Sequence, residues 1–265
     1  HAYWNGGYQG TSSSTQNMLV SNLSMQLGGS VFGNHANGQL DELRFWSADL
    51  DSTTLRDWMT IRIDFNHPNV FELIAYYHFD EGDSRSNSTL PDLTGNNDGS
   101  LVNMDTFLAW VSSGANLGES SEYTFGGTSL AYYLSDGAMI TVDNFSTTPS
   151  AIFIYSTFTS PSGTIFPSSF DSTNIDEYFG VKTVGGGTYD IKIDYSGSST
   201  LSFDSRESSL RTFVRSNGAD ASFSQVSGFF GINTSNDLIS MTEQSDGEFI
   251  FGFLSNAYPD ESGSG

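Results

Sequence analysis

Short runs in which apolar and polar side chains alternate residue by residue most limit what this chain can become. In Asp190-Ile191-Lys192-Ile193-Asp194-Tyr195 the isoleucines and the charged residues must take opposite sides of an extended backbone, because successive side chains of a strand point to opposite faces. Glu248-Phe249-Ile250-Phe251-Gly252-Phe253 repeats the pattern, with Phe249, Phe251 and Phe253 expected to face inward. Further strands are expected at 123–125, 129–134, 138–142, 151–155, 210–214 and 238–242, separated by turn signals. The Gly185-Gly186-Gly187 turn is expected to join Tyr178–Val181 to the 190–195 strand as a hairpin. This rhythm predicts an antiparallel β-sandwich over about 118–260.

The earlier part of the chain reads differently. Residues 40–46 form a strand with an expected irregularity. A helix is predicted near 51–62, capped by Asp51 or Ser52, with Leu55, Trp58 and Met59 spaced for one buried face and Pro68 beyond its end. A strand follows at 73–79, then a long acidic loop over 80–99. Residues 261–265 read as a linker or truncated tail.

The segments GQLDELRFW, LIAYYHFDEG, DLTGNNDGSLVNM and WVSSGANLGESS, with the helix between the first two, resemble a laminin-G-like module of the concanavalin A-like lectin/glucanase class. The form they resemble occurs in large secreted surface proteins of gliding-type Bacteroidota, cargo of type IX secretion. The resemblance implies that residues 1–117 are the C-terminal part of a jelly roll whose first half lies before His1, followed by a second β-sandwich. The polar opening HAYWNGGYQG then reads as the start of a mature or excised segment. The missing half is expected from upstream domains of the same polypeptide or from other copies of the chain by strand exchange.

Charge narrows the function. With 31 acidic against 9 basic residues, the net charge is −22. A surface of that sign repels nucleic-acid phosphates and anionic membranes, and the cations are scattered singly rather than clustered. No apolar run approaches the roughly 18 residues of a membrane span. The absence of cysteine removes disulfides, thiolate metal sites and cysteine nucleophiles.

Catalytic patterns are missing too. Glycosidases need two carboxylates across the scissile bond, and Asp41-Glu42, Asp80-Glu81 and Asp176-Glu177 are adjacent, so a strand sends each pair to opposite faces. No two of the histidines have metal-ligand spacing on a helix.

Two kinds of binding site remain. Asp92, Asn96, Asn97 and Asp98 crowd oxygen ligands into a Gly-containing loop, a composition suited to a structural calcium, with Asp41 or Asp80 completing the shell. The same composition suits an Asx-rich turn bonded to its own backbone. The resembled family often holds calcium, which favours the first reading. Tyr3, Trp4 and Tyr8 beside Gly6 and Gly7 are the glycan-stacking candidates, whereas Trp46, Trp58 and Trp110 read as core. Sequons at Asn22, Asn87, Asn144 and Asn233 are attributed to composition. The resemblance implies instead glycosylation of Ser172 or Ser52 in Asp-Ser-Thr triplets, though Ser52 also reads as the helix cap.

These features predict a non-catalytic, extracellular or cell-surface module, adhesin-like or filament-forming, with surface glycans as candidate ligands. The alternative is an accessory carbohydrate-binding module of a secreted polysaccharide-degrading enzyme.

Overall fold

The computed structural model describes residues 1–13, 24–29, 36–80, 88–159, 161, 165–168, 170–171, 177–201, 207–226 and 230–254. The chain is an all-β protein of antiparallel sheets with, among the described residues, two short α-helices, α1 (Ser52–Trp58) and α2 (Thr106–Ala109). It divides into two compact units, His1–Ser52 with Asn69–Trp110, and Thr53–Pro68 with Val111–Gly265. Almost all of α1 therefore belongs to the second unit, although strands of the first unit flank it in sequence.

The first unit carries three two-stranded sheets: β1 (Ala2–Trp4) with β2 (Gly7–Gly10), β3 (Leu43–Trp46) with β4 (Leu73–Tyr77), and β5 (Thr89–Leu90) with β6 (Gly99–Ser100). Asn5 and Gly6 turn the first hairpin with φ of 48° and 71°, the left-handed pair that a tight two-residue hairpin requires. The irregularity expected near 40–46 is a register shift that leaves Ile74 of β4 without a residue opposite. The core of this unit is small. Ala75, Tyr77 and Leu90 are buried, and Leu43, Phe45, Phe79 and Trp110 pack against them.

In the second unit, a seven-stranded sheet faces a five-stranded one. The larger sheet contains β7 (Ser120–Phe125), β10 (Ala151–Thr157), β11 (Phe170–Asp171), β12 (Tyr178–Val184), β14 (Leu210–Arg215), β15 (Ser224–Gln225) and β18 (Gly247–Leu254). The smaller contains β8 (Leu130–Tyr133), β9 (Met139–Asp143), β13 (Tyr189–Asp194), β16 (Phe230–Asn233) and β17 (Leu238–Gln244). Alternation places Ile191 and Ile193 of β13 and Ile140 and Val142 of β9 on one side of the core. Ile152, Ile154, Phe249, Phe251 and Phe253 meet them from the larger sheet. At roughly 1.5–3 kcal/mol for each large apolar side chain buried, this interior is the main source of the unit's stability.

Two expectations are corrected. The turn at 185–187 does not close a hairpin: β12 pairs with β10 and β18, whereas β13 pairs with β9 and β17. The glycines carry the chain from one sheet to the other, through a passage where a side chain on Gly187 would meet Ser146. Likewise Leu55, Trp58 and Met59 of the helical segment are only half-buried. Polar and charged side chains fasten α1 instead, with the Arg56 guanidinium 4.0 Å from the Phe125 ring centre and Asp57 accepting the Tyr123 hydroxyl at 2.8 Å.

Both faces of the larger sheet are covered. On the face away from the core, Phe213, Phe223 and Ile250 form a second cluster, with Phe166 stacked 4.1 Å from Phe170. Nearby, the Tyr155 ring lies over Gly180 of the adjacent strand, where any Cβ would overlap it. Gly180→Ala should therefore cost at least about 1–3 kcal/mol through overpacking, read as a lower urea midpoint with an unchanged slope.

Candidate functional site

The oxygen-rich loop expected to hold calcium is arranged around one carboxylate. Asp92 is buried, and its Oδ1 accepts the N–H groups of Tyr76 at 2.9 Å and Thr94 at 3.0 Å. Its Oδ2 accepts the Thr94 hydroxyl at 2.6 Å, the Asn97 N–H at 3.0 Å, and longer bonds from the Asn96 N–H and the Asn97 side chain. Asp98 Oδ1 accepts the Asp92 N–H at 2.9 Å. Every one of these partners points a hydrogen at a carboxylate, which is the reverse of what a cation needs. Asp41 is engaged elsewhere, accepting the Glu42 N–H at 2.8 Å, and Asp80 lies 3.9 Å from His78 Nδ1. Among the described residues, no group of three or more His, Cys, Asp or Glu side chains converges. As arranged, the donor set does not fit calcium, and the segment is an Asx-centred turn.

Burial works to raise the Asp92 pKa, but the hydrogen bonds from Thr94, Tyr76 and Asn96 outweigh it and hold the group at about 2. A carboxyl depressed in the folded state stabilises above its unfolded pKa, near 4, and that stability is lost as pH falls toward 2. The shift corresponds to roughly 2 kcal/mol at neutral pH. Asp92→Asn should remove that amount and flatten the acid limb of the first unit's stability between about pH 4 and pH 2, followed by amide exchange of β4.

The aromatic candidates sit on a hairpin rather than in a loop. Register places Tyr3 opposite Tyr8 on one face, with ring centres 5.7 Å apart, and Trp4 opposite Gly7 on the other. Trp4 is 73% exposed and Tyr8 54%. The Tyr8 hydroxyl and His1 Nδ1 both bond the Thr11 hydroxyl. Trp46, Trp58 and Trp110 are half-buried. Ser52 is the first residue of α1, with Asp51 just before it; Ser172, Asn22, Asn87 and residues 261–265 lie outside the described residues. Asn144 donates to Asp190 at 2.8 Å, and Asn233 accepts the Ser235 N–H at 3.1 Å.

Sequence reasoning missed one centre entirely. Glu248 and Arg215 face each other on neighbouring strands β18 and β14, both buried. Arg215 Nε and an Nη each reach Glu248 Oε2 at 2.6 Å. Tyr155 completes the group, donating its hydroxyl to Glu248 Oε1 at 3.0 Å. The guanidinium also lies 4.9 Å from the centre of the Phe223 ring. Burial, reinforced by the Glu248 charge, drives the Tyr155 pKa far upward and keeps that hydroxyl a donor. Alternation predicts that Glu248 and Arg215 lie off the main core, and it says nothing of the second cluster that covers them.

A groove of about 270 Å³ opens beside this centre, lined by Arg215, Asp220, Glu243, Asp246 and several serines. Several of its polar side chains are committed. Asp246 accepts from Thr183 and pairs with Lys182 at 3.0 Å, Asp220 accepts from Ser222, and Arg215 is held by Glu248.

Removing one half of the buried pair strands a charge, so Glu248→Ala should cost about 3–5 kcal/mol. The double change Arg215→Met with Glu248→Leu, which removes both charges, should recover most of that loss in urea denaturation.

No protein-family model, no curated protein and no solved structure matches this chain. Among the described residues, no helix is long and apolar enough to cross a membrane.

Proposed function

We propose that this chain is a non-catalytic binding or assembly module that works outside the cell or on its surface. One observation carries the reading: several carboxylates are committed to internal hydrogen bonds, while a set of large apolar side chains is left exposed. Asp92, Asp136, Glu177 and Glu248 are all committed as internal hydrogen-bond acceptors. The exposed set includes Phe71, Leu108, Val102, Ile74 and Leu93 in the first unit, and Phe65, Tyr133 and Ile165 in the second. Large apolar side chains left in water gain from being covered. The partner is another copy of the chain, a further domain of the same polypeptide, or a surface glycan. The cysteine-free, strongly acidic composition suits the extracellular setting.

The exposure of Trp4 and Tyr8 supports a second reading, an accessory carbohydrate-binding module, since exposed aromatic rings can stack on sugars.

Retention of the chain on surfaces coated with polysaccharide or with the chain itself, followed by interferometry, tests both. On the first reading, Phe71→Ser with Leu108→Ser weakens retention severalfold and Trp4→Ala does little. Retention on polysaccharide alone, lost with Trp4→Ala, favours the second. Release of reducing sugar that one Asp or Glu substitution abolishes would overturn both.

A further inference from the structure

The Asx-centred turn does more than organise itself: it is fastened along one side of β4. In an antiparallel pair the N–H and C=O of one residue point to the same side, and alternate residues point to opposite sides. β3 lies along one side of β4. On the other side, the Tyr76 N–H donates to Asp92 Oδ1 at 2.9 Å, and the Tyr76 carbonyl accepts the Leu93 N–H at 2.9 Å. The Ile74 carbonyl accepts the Thr94 hydroxyl at 3.0 Å and the Asn97 side-chain amide at 3.1 Å. These are the backbone groups that a further strand would use.

We propose that residues 92–97 are a plug that holds the edge of β4 shut, and that once the plug is removed a second copy's β4 takes its place. The strand itself argues for that occupant. Leu73-Ile74-Ala75-Tyr76-Tyr77 carries no charge and holds one β-branched and two aromatic residues, a composition that favours pairing with its own kind. Ile74 is already half exposed beside this edge. Sheet proteins blunt such edges with charge, bulges or covering loops, and β4 combines a bulge at Ile74 with a covering turn. The plug cannot propagate a sheet, because its acceptor is a carboxylate rather than the next link of a backbone ladder. Charge-assisted hydrogen bonds of this kind are roughly twice as strong as neutral ones, so the plug outcompetes an incoming strand.

The test is sedimentation velocity of the full chain over a wide concentration range. The wild type should show no association that Ile74→Glu abolishes, and any self-association through Phe71 and Leu108 should persist in that variant. Asp92→Ala, or Thr94→Val with Asn97→Ala, should form dimers or larger species, while the second unit melts as before. Adding Ile74→Glu to Asp92→Ala sets like charges on both copies of the paired edge and should restore wild-type sedimentation. Failure of both plug variants to associate overturns the proposal. So does association that Ile74→Glu leaves intact, which would mean that an opened core, not an opened edge, is the sticky surface. A wild type that already associates, and stops on Ile74→Glu, overturns it as well.

Discussion

The buried pair of Arg215 and Glu248 constrains the second unit more than any other contact. Removing two charges from water costs several kcal/mol each, and the cost is offset only when geometry and extra hydrogen bonds are good. Here both conditions hold: two nitrogens of one guanidinium reach one carboxylate oxygen at 2.6 Å, and a tyrosine hydroxyl takes the other oxygen. Satisfying that geometry fixes four strands at once. β14 and β18 supply the charges, β10 supplies Tyr155, and β12 must carry glycine at position 180 to let the tyrosine ring through. An apolar patch in the same place would tolerate sliding by a residue. A paired charge would not, because a one-residue slip would turn Glu248 into the core and Phe249 and Phe251 out of it.

Strand identity was legible wherever a side chain's partner class follows from its own chemistry. Ile191 and Ile193 are buried and Lys192 is exposed because period two leaves no other arrangement. Phe249, Phe251 and Phe253 face the core for the same reason. Partnership between strands was not legible. Three glycines at 185–187 are compatible with a hairpin or with a passage between sheets, and the choice depends on β9 and β10, which lie far away in sequence. Glu248 was invisible on similar grounds. A glutamate opposite a phenylalanine face reads as solvated until the second aromatic cluster, built from Phe166, Phe170, Phe213 and Phe223, is known to close over that face.

The turn at 92–97 shows how close two readings of one composition can be. Aspartate, asparagine and glycine supply oxygens for a cation and acceptors for backbone amides alike. What separates them is the direction of the neighbouring hydrogens, which come from Thr94, Asn96 and Asn97 close by and from Tyr76, sixteen residues earlier. Local sequence carries no trace of that last donor. The first unit also shows how little interior such a region needs to hold its shape: a small apolar cluster on one side of β3–β4, and a saturated carboxylate at its edge.

The position of β18 has a consequence for how the protein is made. It is the last described strand in sequence, yet it lies inside the seven-stranded sheet, between β12 and β14. Until residue 254 has left the ribosome, those two strands cannot find their common neighbour, and their pairing sides stay open. At about 5–20 residues per second, the interval between finishing β12 and finishing β18 is several seconds. Throughout it the nascent chain holds Ile152, Ile154 and Phe179 on an unfinished surface. The sandwich can therefore close only late, after synthesis of the strand that joins its two halves. Until then the second unit is an unfinished substrate for whatever chaperone or transport machinery meets it first.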